Sequence, residues 1–268
     1  MTAKKLEHQH RISIDNLSID NITISVCVEK IVRGATNGEG GWVVTPNADI
    51  SRQAYRDLAV SQLIAQADMV VADGMPLVWA SRIQGTPLRE RVCGSDLVWA
   101  VADACVNKGL SIFLIGGGLP DTASRAADAL RLRYPTLKIV GAHYPPFGFE
   151  SRPEEIQKIE ARLRATMPNI VYVALGFPRA ERLIARLKPD YPYVWWLGVG
   201  ISLSFICGDV KRAPPWMQRF GLEWVHRLAQ EPRRLTKRYL WDDVPYVVGL
   251  LARVVSARIR RVIANNRA

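Results

Sequence analysis

The chain has 268 residues, is 49% hydrophobic and carries a net charge of +11, enough apolar material for one large α/β domain with an appendage or for two small domains. Its four cysteines (Cys27, Cys93, Cys105, Cys207) are scattered without a CxxC pair, which argues against a zinc site and a disulfide framework. No uncharged apolar run reaches the length of a membrane span; the longest, residues 244–255, is broken by Arg253.

Taken in order, residues 1–11 are polar and read as disordered, with no signal peptide. A reducing cytosol suits the unpaired thiols. Residues 12–24 mix β-branched side chains with Asp and Asn and predict one or two short strands. A helix follows over 26–33, ending at Gly34, and Gly38, Gly40 and Gly41 make a loop. Gly41 to Thr45 predicts a strand stopped by Pro46, and apolar positions at Ile50, Tyr55, Leu58, Leu63 and Ile64 predict one helix over 48–67.

Residues 69–73 form the next strand, with Asp73 at its carboxyl end because Gly74 and Pro76 stop it. A short helix spans 76–83, and Thr86 to Cys93 is a charged loop. A helix with Ser95 as N-cap then runs to Asn107. Strands over 110–115, 137–141, 170–175 and 194–197 alternate with helices over 121–134, 153–166 and 179–187. This alternation predicts a mostly parallel sheet with helices on both faces.

After Gly200 the character changes. Residues 201–207 are apolar, and 210–216 form a basic, proline-containing turn. Residues 217–229, 232–241 and 244–265 predict three arginine-rich helices, Asp242-Asp243 starting the last. From Gly208 onward there are 13 Lys/Arg and five acids, a balance of +8, which leaves +3 for the first 207 residues. Such a tail points to an anionic partner, nucleic acid or membrane surface, or is a solvated basic face. Trp216, Trp224, Tyr239, Trp241 and Tyr246 interleave with the cations. They suit a membrane interface, or they pack the tail on the core.

Several residues can carry chemistry, each with a plainer reading beside it. Asp73 at a sheet's carboxyl edge can act as a general base, or it caps the next helix. Gly116, Gly117 and Gly118 join a strand to a helix and can cradle a diphosphate, or they make a tight turn. Thr45 and Asn47 can bind a sugar, or they serve the turn around Pro46. Arg91 can neutralise a phosphate, or it is a solvated charge. Residues 176–179 close a later strand beside the same crevice. His143 and His226 are isolated, and there is no DxD pair to carry a metal.

Together, Thr45-Pro46-Asn47, Ala72-Asp73-Gly74, the run from Arg91 to Asp96, Phe113 to Gly118, Gly176 to Arg179, Val210 to Gln218, Gly221 to Trp224 and Gln230 to Arg234 resemble the WecG/TagA/CpsF family of bacterial glycosyltransferases over residues 12–241. The resemblance implies a Rossmann-like core of the GT-E type, residues 12–207, and a basic helical membrane-binding appendage, residues 208–268. It implies inverting transfer of a hexose-type sugar from a UDP-sugar to a polyprenyl diphosphate-linked saccharide, in exopolysaccharide or related polysaccharide synthesis. The place of action would be the cytoplasmic face of the inner membrane, where the protein is peripheral.

Residue by residue, Asp73 matches the base, and Thr45, Asn47 and Arg91 match active-site positions. Arg227, Arg234 and Lys237 are the placements for cations that close over the diphosphate, with Arg233 and Arg238 as close rivals. One departure is Ala180, where many members have Gln before the acid matching Glu181. No metal, cofactor or nucleic acid is called for, and homo-oligomerisation is left open. The alternatives are a non-catalytic membrane-surface protein and a nucleic-acid binder.

Overall fold

The computed structural model describes residues 11–265. The disorder read over residues 1–11 therefore lies outside the described residues, except for Arg11, which opens a strand. Two strands form in the first segment, β1 (Arg11–Ile14) and β2 (Leu17–Asp20), paired as an antiparallel hairpin. The main sheet has six strands in the order β4-β3-β8-β7-β5-β6, and every recorded pair is parallel. These are β3 (Gly41–Val44), β4 (Met69–Val70), β5 (Ser111–Gly116), β6 (Lys138–His143), β7 (Ile170–Ala174) and β8 (Trp195–Gly198). The Rossmann-like α/β expectation is met.

The sheet is apolar on both faces, as a parallel sheet under two helical layers requires. On one face Trp42, Val44, Phe113 and Trp196 pack under α2 (Ala48–Arg56), α3 (Leu58–Ala65), α4 (Met75–Gln84), α7 (Pro153–Thr166) and α8 (Arg179–Leu187). On the other, Val43, Leu114, Tyr172 and Leu197 pack under α1 (Ile24–Thr36), α5 (Gly94–Val106), α6 (Thr122–Arg133) and the short α9 (Ser202–Ile206). The remaining helices are α10 (Pro215–Arg219), α11 (Glu223–Gln230), α12 (Pro232–Thr236) and α13 (Val244–Asn265), with a π-helical turn (Lys237–Asp243) before α13.

Several local expectations are corrected. Gly34 does not end α1; it lies inside the helix, where a Cβ would sit 2.5 Å from Trp195 Nε1. Close packing, not capping, is what selects glycine there. The single helix expected over 48–67 is two. Asp57 breaks it at φ −131°, and its carboxylate then accepts from the Ala59 amide to cap α3. Cys93, not Ser95, is the N-cap of α5. The ladder of β4 stops at Val70, although Val71 and Asp73 still donate to the Val44 and Pro46 carbonyls at 3.0 and 2.9 Å. The helix expected over 217–229 is divided between α10 and α11 at Gly221, whose φ is +72°. Asp242 and Asp243 end the π-helical turn instead of starting α13.

The C-terminal segment is not loosely attached. A Cβ on Gly221 would lie 2.9 Å from both Met75 Cβ and Trp79 Cζ2, so this turn is pressed against α4. Of the aromatic residues singled out, Tyr239 and Tyr246 are buried, whereas Trp216 and Trp241 are exposed. Tyr246, Leu250 and Val254 of α13 join the main hydrophobic core. Arg253 reaches the hairpin turn, with Nη2 2.6 Å from Asp15 Oδ2, and stacks 4.1 Å over the Tyr55 ring. Leu250 is fully buried. Its replacement by Ala is expected to lower the stability of the whole fold by about 2–5 kcal/mol in urea denaturation. A change under about 0.5 kcal/mol would show that α13 contributes little to the core.

Candidate functional site

Strands β3, β4, β5, β7 and β8 end at one rim, and their carboxyl ends open into a cleft of about 1140 Å³. Parallel α/β sheets bind ligands at this rim because chain ends and helix N-termini converge there. Helix α11, the π-helical turn and the start of α13 close its far side.

Asp73 lies on the floor. Gly74 lets its loop approach the β3 loop, since a Cβ would meet the Ala48 nitrogen and Asn47 Cα at 3.3 Å. The Asp73 side chain does not cap α4; Gly74 is that helix's N-cap, with no side-chain cap bond. Instead Asp73 Oδ2 accepts from the Gly94 amide, 3.4 Å away, at the start of α5, and the carboxylate takes a hydrogen bond from the Cys93 thiol. Part of the residue faces the cleft, but burial dominates and holds its pKa above the usual carboxylate range. The Cys93 bond, the Arg91 charge and the Gly94 amide act in the opposite direction.

Thr45 is buried, and its Oγ1 donates to the Gly198 carbonyl at 3.4 Å. Asn47 caps α2, its Oδ1 accepting from the Ile50 amide at 3.1 Å, so the plainer reading of this loop holds while the residue also lines the cleft. Arg91 lines it too, with Nη1 3.3 Å from Glu223 Oε2. Glu223 of α11 also meets Arg212 Nε at 4.0 Å, and Arg212 binds Asp96 of α5, Nη2 to Oδ2 at 2.9 Å.

Gly117 and Gly118 line the cleft. Gly116 does not; it ends β5, where a Cβ would clash with the Ala174 carbonyl at 2.7 Å. The Gly117 amide donates to that carbonyl at 2.8 Å, and Leu119 donates to Thr122 Oγ1, which leaves Gly118 as the loop's candidate donor. Asp209 stands beside the first turn of α6, accepting from Thr122 Oγ1 at 2.8 Å and paired with Arg125.

Arg227 and Arg234 line the cleft and share Glu231, at 3.9 and 2.5 Å. Lys237 and Arg233 are exposed and are not among the lining residues. Arg238 takes the place read for Lys237. It lines the cleft with Nη2 3.0 Å from Asp49 Oδ2, near Asp243, whose carboxyl is pushed up to about 6 by burial. Arg238 follows Arg234 by four residues, the spacing that puts two side chains on the same helical face, and both line the cleft. Sequence reading also passed over Cys93, Glu223 and Glu231, which engage the candidate residues. The signal for Glu181 was available: like Asp73, it follows a strand end at the start of a helix. Among the described residues no cluster of three or more His, Cys, Asp or Glu side chains is arranged to hold a metal ion.

Over residues 12–260 the sequence matches the family described as the glycosyl transferase WecG/TagA/CpsF family. The chain belongs to that family. This glycosyltransferase is also 28% identical over 213 residues to the N-acetylglucosaminyldiphosphoundecaprenol N-acetyl-beta-D-mannosaminyltransferase of Bacillus spizizenii, an alignment covering 80% of this chain and 79% of the relative.

In this glycosyltransferase Glu223 joins the floor to the far wall, so its loss is expected to loosen α11. Glu223→Ala should cost about 1–3 kcal/mol and speed hydrogen exchange of the amides of residues 223–230. Unchanged exchange there would show that the bridge does not hold the helix.

Proposed function

We propose that this glycosyltransferase moves a hexose-type sugar from a UDP-sugar to a polyprenyl diphosphate-linked saccharide, inverting the anomeric centre, in the synthesis of a bacterial cell-surface polysaccharide. The observation that carries the reading is the Asp73 carboxylate, buried enough to be a stronger base than a solvated aspartate yet open to the cleft. The relative's name supplies the acceptor class, a saccharide on undecaprenyl diphosphate, and a hexosamine as the transferred sugar.

In the reaction an acceptor hydroxyl gives its proton to Asp73. Its oxygen forms a bond to the anomeric carbon, and the bond from that carbon to the diphosphate oxygen breaks. UDP leaves with the electron pair. Arg91, Arg227, Arg234 and Arg238 stand where the departing charge can be met, each already held by a carboxylate that a diphosphate can replace. The Gly118 amide adds a neutral donor.

The acceptor lipid requires access from a membrane. Among the described residues no helix is long and apolar enough to cross one. Trp216, Phe220 and Trp241 are 58%, 65% and 67% exposed on the basic C-terminal segment, which suits peripheral contact with an anionic surface at the cytoplasmic face of the inner membrane. We assign residues 208–268 this membrane-binding role together with the cations of the far wall, Arg227, Arg234 and Arg238, and residues 12–207 the base and the rest of the transfer site.

Asp73→Asn should lower kcat by about 10²–10⁴-fold, with the melting temperature retained. Turnover within about tenfold of wild type would remove Asp73 from the role of base. Replacing Trp216, Phe220 and Trp241 together by Ala should weaken binding to vesicles containing phosphatidylglycerol by at least about tenfold. Unchanged vesicle binding would reject the membrane surface proposed here.

A further inference from the structure

Glu181 is a buried acid that the chemistry above does not use. It stands in the first turn of α8 and is 4% exposed, yet it belongs to the cleft wall. Its carboxyl lies over the end of β8. A Cβ built on Gly198 would be 2.8 Å from Oε1, so only glycine leaves this carboxyl its place. The Gly198 carbonyl accepts from Thr45 Oγ1; a Cβ on Gly94 would lie 3.3 Å from that oxygen, and the Gly94 amide donates to Asp73 Oδ2. Glu181, Thr45 and Asp73 therefore lie along one continuous floor. Oε2 of Glu181 is shielded from solvent and has no hydrogen-bond partner in the protein.

A buried polar atom without a partner is costly unless a ligand supplies one. Gly198 of β8 lies against Glu181, and Val43 and Thr45 of β3 lie next to Gly198 in turn; none of the three is titratable. On its own helix, Arg179 faces Glu150 at 3.8 Å and Arg182 is exposed. Asp49, Asp73, Arg91, Arg238 and Asp243 also line the cleft, and the partners recorded for them do not include Glu181. The arginines fitted to a diphosphate are thus not paired with Glu181. The surroundings suit a neutral polar ligand, which a sugar ring is.

We propose that Glu181 is a sugar-binding residue of the transferase, its carboxyl group forming a hydrogen bond with the transferred sugar of the donor. The assignment rests on the reading of the cleft as a site for a sugar nucleotide. A protonated acid offers one donor and one acceptor, the pairing that a hydroxyl or an acetamido group requires. Burial pushes the Glu181 carboxyl up to about 7, so the proton is present on the acid side of neutrality. As pH rises through that value the proton is lost, the donated hydrogen bond goes with it, and affinity for the sugar falls.

The test uses the full chain with UDP-N-acetylmannosamine as donor and UDP as the sugar-free comparison. Wild type, Glu181→Ala and Glu181→Gln are compared at about pH 6 and about pH 8.5, on either side of the expected titration. At the lower pH, Glu181→Ala should raise the donor KM by about tenfold while the Kd for UDP stays within about twofold. The wild-type donor KM should rise several-fold between the two pH values. Glu181→Gln, which keeps a neutral donor, should show no such rise. Equal loss of donor and UDP affinity in Glu181→Ala would mark a structural role and overturn the proposal, as would an unchanged donor KM. A wild-type chain that binds neither UDP nor the donor would instead overturn the reading of the cleft.

Discussion

Glu223 is the group on which the site's arrangement depends. It comes from a helix more than 120 residues away in sequence from the loop it meets, and it places one oxygen beside Arg91 and the other beside Arg212. Arg212 in turn grips Asp96 in the first turn of α5, the helix whose leading amide faces Asp73. This partly buried carboxylate takes a charge-assisted hydrogen bond from Arg91 and lies at ion-pair distance from Arg212, and removing one member leaves the others uncompensated. The floor of the cleft and its far wall are consequently set against one another by a single chain of ion pairs.

The same logic runs along the whole far wall. Arg227 and Arg234 share Glu231, and Arg238 lies against Asp49 and Asp243, which also hold Arg52. The cations are thus kept in place without an anionic ligand, and the cleft does not carry the bare positive field that the tail's composition suggests. A diphosphate entering it exchanges one set of anionic oxygens for another. Such an exchange favours a ligand only if its geometry matches several arginines together, a condition that the diphosphate of the proposed donor would meet better than an isolated charge.

The apolar framework explains why these contacts are reproducible. Gly221 is pressed onto Met75 and Trp79, and Tyr246 and Leu250 enter the core that holds Trp42 and Trp196. The basic tail is therefore anchored by burial, and its arginines do not have to supply the attachment. The exposed rings that remain, Trp216, Phe220 and Trp241, are those that the core does not absorb.

The sequence by itself determined the alternation of strands and helices, the parallel sheet and the place of Asp73, Thr45, Asn47 and Arg91 near its rim, because apolar periodicity and chain-breaking residues act locally. It misjudged Gly34, Asp57 and Ser95, where a Trp195 ring or a competing cap outweighs the local pattern. Only the tertiary structure decided that Arg238 and not Lys237 faces the cleft, that Gly116 is spent on packing, and that Glu181 lies unpartnered beside Gly198. Those outcomes depend on which distant residues arrive at the same point and on which face of the C-terminal helices is turned to the cleft. Spacing along the chain carries no record of either.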